Sequence, residues 1–238
     1  MKTVSITFDD GLYEGAQKAV SILSRHALPA TFYIVTGWVE PVRARIRDVA
    51  NQGRGHGTWD FWRDVAAAGH EVGSHTVSHF KAGGPKAALQ PWRVAGELAR
   101  SKADLKREIA QDDFTISMPW NAASPLSDFL VKRHYSACRL GGGGVVYNQR
   151  ENFNPFALAS WAPGPGHSWE DHLAAIDAIP EDGWLILGYH SLDGEGWEPI
   201  TSEFFDRLCA HLACCGVEVL TVRQGAERWR TATNRMSA

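Results

Sequence analysis

Short apolar runs and longer amphipathic segments alternate almost from one end of this chain to the other, and that alternation leaves few folds open. The spacing predicts strands over residues 4–8, 30–35, 70–73, 114–118, 135–139, 156–161, 184–189 and 217–220. Between them it predicts helices over 13–26, 59–68, 91–110, 124–132, 168–179, 201–214 and 222–230. Pro91 suits the first position of its helix, and Ser168 with Asp171 three residues on forms a capping box. Seven or eight βα units in a row favour a parallel barrel over an open sheet. No Pro/Gly/Ser-rich linker divides the 238 residues, so one domain, 1–238, is expected.

Hydrophobic residues make up 44% of the chain, enough for a sizeable core. A formal charge of -3 without a long basic run argues against a nucleic-acid partner. No apolar stretch is long enough to span a membrane, and a core strand starting by Val4 leaves no room for a secretory signal. Cys138, Cys209, Cys214 and Cys215 do not form a disulfide pattern, because two are adjacent and three share one expected helix. A reduced, cytoplasmic protein is therefore the expectation.

Three stretches carry chemistry. The first strand runs into Thr7-Phe8-Asp9-Asp10-Gly11. Two adjacent carboxylates at the end of a buried strand repel each other and lose hydration, a cost that a cation on one of them relieves while the other stays available as a base. The second stretch, His75-Thr76-Val77-Ser78-His79, has two histidines at i and i+4, which on one helical turn would project from one face. With Asp10 they form a His₂-carboxylate set suited to zinc or another divalent first-row metal, with positions open for water and substrate. The third, Trp184 to His190, is a wholly apolar strand followed at once by a histidine. Barrel enzymes place their catalytic groups at these carboxyl ends, so three strand ends converge on one rim.

These residues resemble the polysaccharide deacetylase family, also called carbohydrate esterase family 4. Thr7 to Gly11 matches its first motif residue for residue, and His75 to His79 matches the second, His-Ser/Thr-x-x-His. Leu187-Gly188-Tyr189-His190 is a looser form of the last motif, Leu-x-His, with one extra residue. Ser117-Met118-Pro119-Trp120 keeps the Pro and aromatic residue of the third motif, Arg-x-Pro-Tyr/Trp, but not its Arg. Ala157 to Trp161 keeps only the Trp of the fourth, Asp-x-x-Asp-Trp. In the family that Arg and an Asp support the catalytic base and acid, and the sequence suggests that both ends of this support were lost together.

The resemblance implies a distorted (β/α)7-type barrel that removes N-acetyl groups from amino sugars. Asp10, His75 and His79 are the expected ligands of one divalent metal, zinc first, cobalt or nickel otherwise. Asp9 is the expected general base and His190 the acid that protonates the departing amine. The Trp120 backbone N–H is assigned to the oxyanion, and Trp161 with Leu187 to the acetyl methyl pocket. Tyr33, Trp38, Trp59 and Trp120 are candidates for stacking on a sugar ring, Asp193 or Glu195 for orienting His190, and His56 for a lid. His167, His172 and His211 read as capping or surface residues. An N-acetylated saccharide is the expected partner, and a homodimer is left open. Hydrolysis of a non-sugar amide or cyclic imide, and a non-catalytic sugar-binding relative, are the alternatives.

Overall fold

The computed structural model describes residues 1–39, 55–141, 143–194 and 196–236. Eight strands make one parallel sheet: β1 (Thr3–Phe8), β2 (Thr31–Ile34), β3 (Glu71–Ser74), β4 (Thr115–Ser117), β5 (Ala137–Gly141), β6 (Leu158–Ser160), β7 (Trp184–Tyr189) and β8 (Glu218–Val219). They lie in the order β6-β5-β4-β3-β2-β1-β7, with β8 paired to β1. Just past β6, the Trp161 N–H donates to the Ile186 carbonyl at 2.9 Å, and the Gly188 N–H to the Trp161 carbonyl at 2.8 Å. Those two bonds bring β6 against β7 and nearly close the barrel. The first strand is divided between neighbours: β8 takes Thr3 and Val4, and β2 takes Thr7 and Phe8.

The helices follow the expected order: α1 (Tyr13–Arg25), α2 (Trp59–Ala67), α3 (Pro85–Ala88), α4 (Pro91–Ile109), α5 (Pro125–His134), α6 (Trp169–Asp177), α7 (Ser202–Leu212) and α8 (Val222–Met236). Only the one-turn α3 is missing from the sequence reading. Pro91 does open α4, and Ser168 and Asp171 form the capping box of α6. All four cysteines are free thiols. No helix among the described residues is long and apolar enough to cross a membrane.

Alternation along the strands sorts the side chains into two layers. Phe8 of β1 faces the helices, where it stacks on Phe32 at 5.3 Å and meets Phe205 of α7 edge-on at 5.3 Å. Burial of such a ring contributes roughly 1.5–3 kcal/mol. The inward layer is partly polar. Near the bottom, Glu71 accepts from Thr31 Oγ1 at 2.9 Å, Thr115 Oγ1 at 2.5 Å and the Arg223 N–H at 2.9 Å. Trp184, Ile186, Ala137, Leu158 and Tyr33 fill the rest of the lower barrel against Val222, Ala226 and Trp229 of α8. The carboxyl end is left to the groups described next.

Candidate active site

Asp9 and Asp10 follow β1, where the Asp9 N–H donates to the Tyr189 carbonyl at 2.9 Å. The chain then turns sharply: Asp10 and Gly11 both adopt a left-handed conformation, φ 69°. A Cβ on Gly11 would meet Ile34 Cγ2 at 3.0 Å, so glycine is required there for both conformation and space. The turn sends neighbouring carboxylates in different directions.

Asp10 Oδ1 lies 3.5 Å from His75 Nε2 and 3.4 Å from His79 Nε2. The three ligating atoms lie within 4.8 Å of one another, as a group that could hold a metal ion would. The His75 N–H bonds to the Ile34 carbonyl at 2.8 Å, extending the β2–β3 pairing. Its Nδ1–H donates to the Ser117 carbonyl at 2.8 Å, which leaves the Nε2 lone pair facing Asp10. Burial drives this imidazole down to about 3, so the ring is neutral, the form a metal ligand needs. The expected helical turn is absent. Thr76 and His79 take φ 65° and 57°, and a left-handed turn brings the two rings to 5.0 Å instead. Glu97 of α4 pins this turn, accepting the Val77 and Ser78 N–H groups, each at 2.9 Å.

Asp9 sits beside this cluster and is 7% exposed. Its Oδ2 accepts from Arg139 Nη2 and, at 3.3 Å, from Ser117 Oγ. Its Oδ1 has no hydrogen-bond partner among the described residues. Burial pushes the carboxyl up, but the guanidinium of Arg139, with His75 and His190 adding to it, outweighs burial, and Asp9 is held below the usual carboxylate range. Without the third-motif Arg, the sequence predicts that the base has lost its charge partner. The structure corrects it: Arg139 supplies a guanidinium from β5, with Ser117 and Ser160 among its partners. A single arginine ending an otherwise apolar strand run was the signal for it.

His190 is half-buried past β7, its ring 5.0 Å from the exposed Trp197. The face it shares is that of Gly188. Leu187 points the other way by strand alternation, into the apolar layer with Leu185 and Tyr189. Trp161 joins that same layer, buried beside His167 and His172. Tyr33 is also misplaced by the sequence reading. Fully buried inside the barrel, it bonds Thr115 Oγ1 through its hydroxyl at 3.0 Å and lies 5.5 Å from the Arg139 guanidinium.

Asp193 does not orient His190. Its carboxylate accepts the Ser202 N–H at 2.7 Å and Oγ–H at 2.5 Å at the start of α7, and pairs with Lys18 at 2.9 Å. Glu195 lies outside the described residues. His56 is no lid: buried, it donates Nδ1–H to the Asp10 carbonyl at 3.1 Å. Trp38 is buried between His56 and His79 and Trp59 is half-buried against the core, whereas Trp120 is 61% exposed with its ring 5.3 Å from His79. His172, though buried, does bond the Ser168 carbonyl at 2.8 Å within the first turn of α6.

Comparison with known proteins bears on the fold and the family. A solved family 4 acetyl xylan esterase from Clostridium thermocellum, in complex with cobalt, covers 93% of this chain and 89% of its own at 21% identity and TM-score 0.61. The Bc1960 peptidoglycan N-acetylglucosamine deacetylase covers 92% and 90% at 16% identity and TM-score 0.61. BA3943 of Bacillus anthracis, a pseudoenzyme of the same group, covers 93% and 64% at 15% identity and TM-score 0.59. At these identities the likeness is one of fold. In sequence, YxkH of Bacillus subtilis (strain 168), which carries a polysaccharide deacetylase designation, is 27% identical over 118 residues, 50% of this chain and 37% of that protein. The sequence profile described as polysaccharide deacetylase matches residues 1–127, more than half of the chain, and the chain belongs to that family.

Proposed function

We propose that this chain is a metal-dependent hydrolase that removes an acetyl group from an N-acetylated amino sugar. The observation that carries this reading is the approach of Asp10 Oδ1 to two imidazole Nε2 atoms, at 3.4 and 3.5 Å, directly beside Asp9. Two imidazoles and one carboxylate suit zinc, and the cobalt complex of the esterase relative makes cobalt a second choice and nickel a third. Asp10, His75 and His79 would hold a divalent cation, which would supply a Lewis acid for the acetyl oxygen and ease deprotonation of the attacking water.

The remaining work falls to this chain's own side chains. Asp9, ionised and held at Oδ2, takes the water proton at Oδ1 as general base. His190, across the rim, donates a proton to the departing nitrogen, which would otherwise leave as an amide anion. In this reading the Trp120 N–H takes negative charge on the acetyl oxygen, and the exposed Trp120 ring offers an apolar face to a pyranose.

An O-acetyl ester is the second reading, favoured by the acetyl xylan esterase likeness. A linear amide or cyclic imide outside carbohydrates, and a non-catalytic sugar binder, stay behind it. The last predicts lost ligands or a lost base, and here Asp9, Asp10, His75, His79 and His190 are all present. The test is acetate release by zinc-, cobalt- and nickel-loaded protein on N-acetylated monosaccharides, nucleotide sugars, oligosaccharides and acetylated xylan, with Asp9→Asn as the blank. Release that vanishes in the variant supports the reaction and names the substrate. Stoichiometric metal without release from any of them removes the carbohydrate assignment.

A further inference from the structure

Arg139 is the one strongly buried guanidinium pointing into the barrel among the described residues, 3% exposed, and each of its terminal nitrogens is engaged. Nη2 donates to Asp9 Oδ2 and, at 2.5 Å, to Ser117 Oγ. Nη1 donates to Ser160 Oγ at 2.8 Å. The Ser117 hydroxyl passes its own hydrogen on to Asp9 Oδ2 at 3.3 Å, so two donors converge on one carboxylate oxygen. Below, the Tyr33 ring lies 5.5 Å from the guanidinium carbon.

The neighbours of this guanidinium are small. Ser117 and Ser160 are short hydroxyl side chains, and a Cβ on Gly188 would come within 3.2 Å of Nη1. Gly188 has no left-handed backbone, so space, not conformation, is what glycine supplies there. A planar fork reaches two acceptors in fixed directions, which a single ammonium cannot do. With Oδ2 doubly held, the carboxylate cannot rotate freely, and Oδ1 is the oxygen left without a hydrogen-bond partner among the described residues.

We infer that Arg139 is a positioning residue for Asp9: from β5, in a cradle formed by Ser117, Ser160 and Gly188, it fixes Oδ2 so that Oδ1 is the oxygen that accepts the proton. This rests on the reading of Asp9 as general base. A residue that merely neutralised a buried carboxylate would need charge but not the fork or the cradle.

The test uses the whole metal-loaded protein and the variants Arg139→Lys, Arg139→Met, Asp9→Asn, Gly188→Ala and the Asp9→Asn/Arg139→Met pair. In thermal unfolding, Asp9→Asn lowers the midpoint when Arg139 is present, because it strands a buried cation, and does not lower it in Arg139→Met. Additive midpoint shifts overturn the inference, whether or not a substrate has been found. On a cleaved substrate, Arg139→Lys keeps the charge yet loses on the order of 10²-fold in kcat with KM little changed, the cost of a slightly misplaced catalytic group. Wild-type kcat in Arg139→Lys also overturns it. If the Met variants fail to fold, Gly188→Ala decides: crowding Nη1 lowers kcat about tenfold at unchanged metal content, and an unaltered kcat counts against the cradle. Failure of wild type to cleave any acetylated compound would sink the functional reading instead, leaving the unfolding comparison to judge the Asp9–Arg139 coupling.

Discussion

Glu97 holds Ser78 twice, accepting its N–H at 2.9 Å and its Oγ–H at 2.5 Å, while the same carboxylate also takes the Val77 N–H at 2.9 Å. The turn it clamps runs between the two histidines of the candidate metal group and contains two left-handed non-glycine residues, Thr76 and His79. A β-branched residue such as Thr76 resists that conformation, so surrounding contacts must hold it. Glu97, reaching in from α4, does so together with Ser74 Oγ, which accepts the Thr76 N–H at 3.2 Å. Glu97→Gln keeps the shape, removes the charge and leaves one amide nitrogen facing a donor. Metal affinity should fall about 10- to 100-fold, the usual cost of losing support behind a ligand. Competition against a chromophoric chelator measures it, and an unchanged affinity would show that the turn holds itself.

The loop carrying His190 is fixed from a different side. A Cβ on Gly15 of α1 would lie 1.8 Å from Ser191 Oγ and 3.0 Å from the Leu192 nitrogen, so helix and loop are in direct backbone contact. Gly15→Ala has no backbone penalty of its own inside a helix and should stabilise if space were available. Here it must push the loop away, at a cost of about 1–3 kcal/mol typical of overpacking, and take His190 with it. Both the unfolding midpoint and turnover should drop. Adding Ser191→Gly, which removes the clashing atoms, should recover much of the loss. A Gly15→Ala protein with wild-type turnover would mean that the contact has slack.

What was legible in the sequence follows from how local each signal is. The strand and helix alternation depends on neighbours a few residues apart, and every strand expected is present to within a few residues. Asp9, Asp10, His75, His79 and His190 announced themselves because strand ends at one rim are a consequence of parallel topology. The misreadings concern which face a side chain takes. Leu187 and Gly188 differ by one position, and one position on a strand reverses inside and outside. Tyr33 looked like a sugar platform, but its face of β2 is the barrel interior, where Gly73 of β3 makes room: a Cβ there would come within 2.7 Å of the Tyr33 ring. Arg139 and Glu97 act on groups 130 and 19 residues away respectively, across pairings that no local pattern reveals.

Asp193 has a structural task with a pH signature. Its carboxyl is held down to about 2 by two hydrogen bonds from Ser202 and by Lys18. A carboxylate depressed on folding contributes its stability above the unfolded value, near 3.8, and loses it as pH falls through about 2. Asp193→Ala should therefore lower stability at pH 7 by about 0.5–2 kcal/mol, as for other lost helix-start acceptors. The gap between wild type and variant should close as pH drops from about 4 to about 2. Turnover per folded molecule should be unaffected, because Asp193 does not touch His190. Chemical denaturation at several pH values measures the first effect, and a large loss of kcat in a fully folded variant would return Asp193 to the catalytic loop.

Trp120 can be separated from the rest of the site because its ring is largely in solvent. At 61% exposure it contributes little to the core, so Trp120→Ala should change stability by no more than about 0.5 kcal/mol. The ring nevertheless stands 5.3 Å from that of His79 and follows Pro119 in a turn where Trp120 itself has φ 61°. An exposed indole held in a left-handed turn beside the candidate metal ligands suits substrate contact better than packing, on the proposed function. Removing it should leave metal binding intact and raise KM for a saccharide about 2- to 10-fold, the worth of one aromatic contact of about 0.5–1.5 kcal/mol. Because alanine keeps the backbone N–H, kcat should fall less than KM rises, and that split tests stacking apart from any role of the main chain. A KM that does not move, with acetate release preserved, would place the sugar elsewhere on the rim and leave Trp197 beside His190 as the ring to test next.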